Sequence, residues 1–367
     1  MNPSLMSSST RTTVRQLRAD VAAICLPKGR KVGSAGHKKA RKYLTARLEE
    51  IGCEPYTGDS YELPYQRNSI AFYNVVGVVR GNNPKLPPLL VGAHYDSVIA
   101  APCADDNAAA VAIALATAEH AAANGCLERD LVVAIFDAEE PPHFRTNSMG
   151  SERFWHDQLD GRPIHAAIIM DLVGHDVSIP GSMLGHIPLI GGLLEKIPGL
   201  ANRDIALPLL HSLVFMTGTE SHPELAVALD AAGVASGIKL VPTLNRCIGD
   251  MSDHGVFREN GVPYFFLSCG HWEHYHRPTD TPDRLNYRKM ARITRQVTSL
   301  LGALDTQALR RSGGKERVCD TLDLEVLYMR RAFGPLWGML LKRAGLTQIQ
   351  SRKDVNRLVK NIQALGL

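Results

Sequence analysis

Short apolar runs rich in β-branched residues recur along the chain between residues 71 and 267. They cover residues 71–79, 89–93, 131–136, 168–172, 209–216 and 262–267. Continuous apolar runs of this length are typical of strands that are buried on both faces of a sheet. Helical patterns lie between them, so the sequence predicts an α/β fold, a three-layer αβα sandwich around a mostly parallel or mixed central sheet.

Helical periodicity before, between and after these runs predicts the outer layers. The predicted helices are residues 12–25, 37–51, 108–123, 150–158, 189–196, 223–232, 252–260 and 286–304. Leu44, Leu48 and Ile51, for example, form one apolar stripe at helical spacing. Residues 1 to about 10 are predicted to be disordered. Glycine and proline concentrate in residues 172–250, where we expect loops to form the walls of a pocket.

Residues 305–367 differ from the rest of the chain. They contain no strand-like run, many Arg and Lys residues, and two predicted helices at 321–344 and 353–365. We therefore expect a main domain of residues 11–304 and a helical C-terminal extension of residues 305–367. The extension would pack on the domain or on another subunit, and the second arrangement would give a homo-oligomer through the C-terminal helices.

Composition and charge argue against several classes of protein. The chain has 367 residues, 45% hydrophobic and 21% charged, with a net charge of +4, which is ordinary for a globular protein. Its basic stretches carry no interleaved aromatics, which argues against nucleic-acid binding. No run approaches the roughly 20 apolar residues of a membrane span, and no signal peptide is visible. Seven scattered cysteines without a CxxC pair argue against a disulfide framework and favour a cytoplasmic location, although one disulfide stays open.

Polar residues of metal-binding type stand at the ends of the predicted strands. They are His94, Asp105 or Asp106, Glu140, Asp171 and His276. Sites in open α/β sheets lie beyond the carboxyl ends of strands. Two imidazoles and three carboxylates suit zinc. Five ligands are too many for one tetrahedral catalytic zinc, but they are the right number for two ions that share one carboxylate.

Two neighbours of these ligands predict further roles. Adjacent side chains in an extended segment point in opposite directions. Glu140 could therefore bind a metal while Glu139 acts on a water. Asp96 could hold the far ring nitrogen of His94 and so orient the imidazole.

Each of these segments also has a simpler interpretation. His94-Tyr95-Asp96 could form a turn, and Asp105 and Asp106 could cap the following helix. The two glutamates could be solvated, and His271 or His274 could replace His276. The joint occurrence of all these segments at strand ends favours a metal site.

The chain resembles the co-catalytic zinc aminopeptidase family, which includes bacterial leucyl-type aminopeptidases, glutamate carboxypeptidases and animal glutaminyl cyclases. The matching segments are Gly92-Ala-His-Tyr-Asp-Ser97, Ala104-Asp-Asp-Asn-Ala108, Phe136-Asp-Ala-Glu-Glu140, Met149-Gly-Ser-Glu-Arg-Phe154, Met170-Asp171 and Tyr275-His-Arg-Pro-Thr-Asp-Thr281. The resemblance covers about residues 36–303, and these segments together are highly specific.

This resemblance implies a site that binds two Zn²⁺ ions, each with its own ligands. His94 and Asp171 would hold one zinc, and Glu140 and His276 would hold the other. Asp105 would bridge the two ions, with a cis peptide bond between it and the next residue.

The resemblance also implies the remaining catalytic groups. Glu139 would be the general base, and Tyr275 would hydrogen-bond the tetrahedral intermediate. Residues 252–254, Ser-Asp-His, resemble a further family segment, but a helix N-cap and a packed histidine are the favoured interpretation. The implied activity is that of an exopeptidase that acts on a peptide substrate with a free N-terminus.

Two rival functions stay open. A glutaminyl cyclase uses a single zinc; the long stretch between Glu140 and Gly150 and the sequence Asp-Leu-Val-Gly from Asp171 favour it. The second acid at Asp106 and the tyrosine at Tyr275 oppose it. A non-enzymatic relative would be expected to lose ligands, and here all five positions are filled. Residues 143–145, which follow two prolines, could line the substrate pocket or lie exposed on the surface.

Overall fold

The computed structural model describes residues 8–125, 127–159, 161–184, 204–309 and 319–367. The helices are α1 Ser8–Ile24, α2 Ala35–Ile51, α3 Ala109–Asn124, α4 Gly150–Arg153, α5 Gly181–Leu184, α6 Pro223–Ala232, α7 His254–Glu259, α8 Tyr287–Thr306, α9 Leu322–Phe333, α10 Trp337–Arg343 and α11 Arg352–Gln363. The strands are β1 Glu54–Pro55, β2 Glu62–Arg67, β3 Ile70–Val79, β4 Leu89–His94, β5 Leu131–Phe136, β6 Ala166–Met170, β7 Ile179–Pro180, β8 Asp204–Ile205, β9 Leu213–Thr217, β10 Lys239–Pro242 and β11 Tyr264–Ser268. None of the described helices combines the length and apolarity that crossing a membrane requires.

A mixed sheet forms the middle layer. Its order in the described residues is β1-β3-β5-β4-β6-β11-β9-β10, and β2 pairs with the outer part of β3. The central strands β5, β4, β6 and β11 run parallel, whereas β3 and β9 run antiparallel to their central neighbours. The predicted α/β fold with a mixed central sheet is confirmed.

Both faces of the sheet are covered, which explains the continuous apolar runs. In β5, Leu131, Val133 and Ile135 face one hydrophobic core, which α1, α2, α3 and α8 cover. Val132 and Phe136 face the second core on the opposite side. Because side chains alternate along a strand, burial on both faces requires an apolar residue at every position.

Several predicted elements agree closely with the structure, and some do not. Residues 131–136 and 223–232 form a strand and a helix with the predicted bounds. The edge strand Glu62–Arg67 was not expected, because its alternating polar residues and proline lack the signal of a buried strand. Residues 8–10, predicted to be disordered, belong to α1. The predicted helix 189–196 lies outside the described residues.

The C-terminal extension packs on its own domain. Tyr328, Met329 and Phe333 of α9 are buried in the first hydrophobic core. The single helix predicted for residues 321–344 is instead broken into α9 and α10, because Gly334 adopts a positive φ of 49° and a proline follows it. Assembly into a homo-oligomer stays a prediction.

Phe154 tests how much the second core contributes to stability. Its side chain is fully buried, and its ring lies 5.4 Å from that of Tyr56 and 5.8 Å from that of Phe136. We expect Phe154→Ala to lower the free energy of unfolding by about 3–5 kcal/mol because it leaves a cavity. The control is Ile70→Ala, at a side chain that is 42% exposed, which should change the free energy of unfolding by less than about 0.5 kcal/mol. Chemical denaturation measures both values. Equal effects would contradict this assignment of the core.

Candidate metal centre

Three parallel strands end at one edge of the sheet and bring polar residues together there. His94 at the end of β4 pairs with Phe136 of β5, and Gly92 pairs with Ile169 of β6. This register places Asp171, which follows β6, beside the end of β4. The polar side chains therefore meet because the strands stop at the same level.

A first group of possible metal ligands consists of His94, Asp106 and Asp171. Nε2 of His94 lies 3.5 Å from Oδ1 of Asp106 and 3.8 Å from Oδ1 of Asp171. Zinc binds nitrogen and oxygen at about 2.0–2.2 Å, so two ligand atoms of a tetrahedral site lie about 3.3–3.5 Å apart. The observed separations are close to that spacing.

A second group contains Asp106 again, together with Glu140 and His276. Nε2 of His276 lies 3.2 Å from Oδ2 of Asp106 and 3.2 Å from Oε2 of Glu140. Asp106 thus presents one carboxylate oxygen to each group. The two groups share this single residue.

The structure places Asp106, and not Asp105, between the two groups, one position after the residue that the resemblance implies as the shared ligand. The carboxylate of Asp105 points away from both groups. Its Oδ1 accepts a hydrogen bond from the backbone N–H of Gly174 at 2.5 Å, and its Oδ2 lies 2.5 Å from Nδ1 of His175. The cis peptide bond likewise joins Asp106 to Asn107. The sequence offers two adjacent acids, and only the path of the backbone selects one of them.

Unsatisfied buried atoms indicate that these side chains fit a cation. In the part of the chain that the structure describes, six of their nitrogen and oxygen atoms are buried without a hydrogen bond of normal geometry. They are Nδ1 and Nε2 of His94, Oδ2 of Asp106, Oε1 of Glu140, Oδ1 of Asp171 and Nε2 of His276. Buried polar atoms are normally paired, because leaving them unpaired costs free energy. Two imidazoles and three carboxylates are a donor set that suits zinc.

The pKa shifts of the carboxylates also indicate that the site fits a cation. Burial, with the neighbouring charge of Asp106, raises the pKa of Glu140 to about 8. Burial also raises the pKa of Glu139 well above its ordinary value, and it raises that of Asp171. Several buried carboxylates in contact oppose ionisation of one another, and a bound cation would remove that opposition.

Asp96 holds three parts of the site in place. Its Oδ1 lies 3.3 Å from Nδ1 of His94. The same carboxylate accepts hydrogen bonds from the backbone N–H of Glu139 at 3.0 Å and of Glu140 at 3.1 Å. Burial alone would raise the pKa of Asp96, but His94 and these two amides lower it below its ordinary value. Asp96 therefore positions its neighbours as an ionised carboxylate.

Glu139 lies beside the first group without belonging to either group. Its Oε2 is 3.7 Å from Nε2 of His94, and the residue is only 5% exposed. The preceding Ala138 adopts a positive φ of 55°, which turns the chain after β5. Strained backbone of this kind is common at functional sites.

Of the three histidines near residue 275, the structure brings His276 to the second group. His271 Nε2 lies 2.9 Å from Oδ2 of Asp204, and His274 Nδ1 lies 2.9 Å from Oγ1 of Thr279, so these two are engaged elsewhere. The ring of Tyr275 stacks on that of His276 at 3.7 Å and is 45% exposed.

Asp253 lies closer to the site than its position in the sequence predicts. It stands at the N-cap of α7, yet its side chain makes no capping hydrogen bond, and the residue is fully buried near His94 and Asp171. Burial raises its pKa to about 7. The expected packed histidine is present, because His254 stacks on Phe266 with ring centroids 4.1 Å apart.

Two further residues support the turn that carries Asp106 and were not found from the sequence. The carboxylate of Asp280 accepts the backbone N–H groups of Asp105 and Asp106. Arg30, which is fully buried, donates to the carbonyl oxygens of Tyr95 at 2.7 Å and Cys103 at 2.9 Å. A fully buried arginine is rare, but periodicity alone does not reveal it.

A cavity of about 710 Å³ opens beside the two groups, where Asp171 and Tyr275 line it. Residues 143–145, for which the sequence left a pocket position and a surface position open, do not belong to its described lining. His143 packs against the ring of Phe72, and Arg145 lies 3.5 Å from Glu259.

Comparison with known proteins identifies relatives of this chain and structures with a similar fold. The uncharacterized protein YfbL of Escherichia coli (strain K12) is 29% identical over 272 residues, which are 67% of this chain and 72% of that protein. Three solved structures have a similar fold, and each is only 14–16% identical to this chain.

The first is the Legionella pneumophila LapA aminopeptidase, with a TM-score of 0.59 over 83% of this chain and 76% of that one. The second is a Zn-dependent exopeptidase from Parabacteroides distasonis, with a TM-score of 0.57 over 78% and 97%. The third is a glutaminyl cyclase from Porphyromonas gingivalis, with a TM-score of 0.56 over 80% and 97%. The profile of Peptidase family M28 matches residues 74–301, well over half of the chain. The chain therefore belongs to Peptidase family M28.

Proposed function

We propose that this protein is a zinc-dependent exopeptidase of the aminopeptidase type, which hydrolyses the first peptide bond of a substrate with a free N-terminus. The observation that carries the proposal is the shared carboxylate of Asp106, which presents one oxygen to each of two ligand groups. Membership of Peptidase family M28 supports a peptidase reaction. A relative without activity would be expected to lose these ligands.

The proposed ligand set follows the two groups. His94 and Asp171 would hold one zinc, Glu140 and His276 would hold the other, and Asp106 would contribute a carboxylate oxygen to each. Zinc bound in this way supplies Lewis acidity, which polarises the scissile carbonyl and makes a water easier to deprotonate.

Glu139 is the proposed general base. Its carboxylate is buried next to His94, and Asp96 fixes its backbone. Burial raises its pKa, which suits a carboxylate that accepts a proton and later releases it. Glu139 takes the proton from the attacking water on a carboxylate oxygen, and it then delivers that proton to the leaving amine.

Acidic groups beside the cavity account for the proposed preference for a free N-terminus. Asp171 lines the cavity, and Glu139 lies close to it. A protonated amine is attracted to such a buried negative environment. Tyr275 lines the same cavity, where its hydroxyl would donate a hydrogen bond to the developing oxyanion.

Glutaminyl cyclisation is the second candidate, and two observations favour it. A glutaminyl cyclase is among the structures with a similar fold. The sequence analysis opposed a cyclase because a second acid, Asp106, follows Asp105. If Asp106 is the shared ligand, the residue after it is Asn107, and that argument no longer applies. The presence of two complete ligand groups favours the hydrolase, because the cyclase activity needs one zinc.

The assignment of Asp106 can be tested against its neighbour. We expect wild-type protein to retain about two zinc ions per chain after dialysis, as measured by atomic emission. Asp106→Asn should bind fewer than two ions, because it removes the shared ligand. Asp105→Asn is the matched control and should retain both ions. The opposite pattern would restore Asp105 as the ligand.

The role of Glu139 predicts a loss of turnover without a loss of metal. Glu139→Gln should lower kcat on an aminoacyl anilide by about 10²–10⁴-fold while zinc content stays unchanged. Glu259→Gln, at a half-exposed side chain, should leave kcat unchanged. Normal turnover in Glu139→Gln would remove it from the base role. Pyroglutamate formed from a Gln peptide by wild-type protein with one zinc would instead identify a cyclase.

Tyr275 should affect the chemical step more than substrate binding. We expect Tyr275→Phe to lower kcat by about 10²–10³-fold with little change in KM, because the hydroxyl bonds the developing oxyanion. Tyr61→Phe, whose hydroxyl bonds the carbonyl of Cys53, serves as the control and should leave kcat unchanged. A rise in KM alone would indicate that Tyr275 only binds the ground state.

A further inference from the structure

The cavity beside the metal centre is large and has an apolar interior. Its volume of about 710 Å³ lies within the range of about 300–1,000 Å³ that is typical of small-molecule pockets. Phe215 and Met216 of β9 and Phe266 of β11 line it on the side of the sheet. It begins at Asp171 and Tyr275, so a substrate held at the metal centre would extend a side chain into it.

Another part of its wall comes from the C-terminal extension. Val359 and Ile362 of α11 line the cavity, together with Leu367. Val359 is 5% and Ile362 4% exposed, so both are packed against the rest of the protein. All three lie outside residues 74–301, the part of the chain that matches the family profile. The wall is thus built partly from a segment that the family domain does not supply.

Polar contacts fix α11 in this position. Gln363 donates a hydrogen bond from Nε2 to the carbonyl oxygen of Cys247 at 2.7 Å, and Cys247 also lines the cavity. Arg246 donates to Oδ1 of Asn356 at 3.0 Å. At the other end of the helix, Arg352 bonds both carboxylate oxygens of the buried Glu325 at 2.7 and 2.8 Å. The helix is therefore held on both sides of the residues that face the cavity.

The backbone after α11 also approaches the main domain closely. A Cβ atom at Gly366 would lie 2.5 Å from Cδ of Pro180, so only glycine fits there. Pro180 lines the same cavity. This close approach brings Leu367 to the cavity wall.

The side chains of this wall determine which kind of substrate group binds best against it. The charged side chains in the described lining of the cavity all lie outside the extension: they are Asp171, Glu273 and Arg277, and the ion pair of His271 with Asp204. The extension supplies aliphatic side chains, and the amide of Gln363 is occupied by Cys247. An apolar wall gains free energy when it covers an apolar group and loses it when it covers a charge.

We propose that α11 and the residues after it are a specificity-determining wall, in which Val359, Ile362 and Leu367 contact the side chain of the substrate's N-terminal residue. This wall favours a large apolar side chain over a small or charged one, and its position sets the depth of the pocket. The inference rests on the proposed exopeptidase function, because it names the substrate class of that site.

Substitutions at Ile362 change the depth in opposite directions. The measured quantity is the ratio of kcat/KM for tryptophanyl and leucyl anilides. Ile362→Ala deepens the pocket and should raise this ratio about tenfold, whereas Ile362→Phe should lower it about tenfold. Val359→Ala should shift it in the same direction as Ile362→Ala. Leu358→Ala is the matched control, since Leu358 is fully buried on the same helix but does not line the cavity.

A binding measurement separates this inference from the proposed function. Calorimetry gives the Kd of L-tryptophan hydroxamate and L-leucine hydroxamate for the zinc-loaded proteins, whose folding is checked by thermal unfolding. Opposite shifts of the Kd ratio in the two Ile362 variants, with none in Leu358→Ala, support the wall. If wild-type protein hydrolyses no anilide but these shifts occur, the exopeptidase function fails and the wall stands. Unchanged ratios in folded variants overturn the wall, whatever the activity.

Discussion

Buried negative charge at one edge of the sheet is the constraint on which the rest of the structure depends. Asp96, Asp106, Glu139, Glu140 and Asp171 are each at most 9% exposed. An unpaired buried carboxylate is costly, so this edge is stable only where donors or a cation compensate the charge. Backbone amides compensate Asp96. The ligand atoms with no hydrogen bond of normal geometry are the ones that a cation would satisfy.

The surrounding structure holds these charges at a fixed spacing. Arg30 binds the carbonyl oxygens of the segment that follows β4, and Asp280 binds the amides of the turn that carries Asp106. Both side chains do so from distant parts of the sequence. The rigid sheet fixes the strand ends, and these contacts fix the loops between them, which is the preorganisation that a catalytic site needs.

The cavity beside the two ligand groups crosses the boundary that the sequence predicts at residue 304. Asp171 lies on one side of that boundary and Ile362 on the other, yet both line the same space. The sequence of the extension predicts helices that pack on the domain or on another subunit, without a role in the cavity. In the structure, its described helices join the first hydrophobic core. Packing makes them part of the site, because they cover a face of the sheet that would otherwise expose apolar residues.

The sequence by itself determined the layered fold and most of the polar residues that meet at the edge of the sheet. Strands buried on both faces must be apolar at every position, so residues 131–136 could be assigned with the observed bounds, and the polar residues at such strand ends stood out. Only the tertiary structure chose Asp106 over Asp105, buried Asp253 beside His94 and brought α11 to the cavity. Those choices depend on the direction of single backbone turns and on contacts between residues far apart in the chain. Local patterns of hydrophobic and polar residues do not encode either of them.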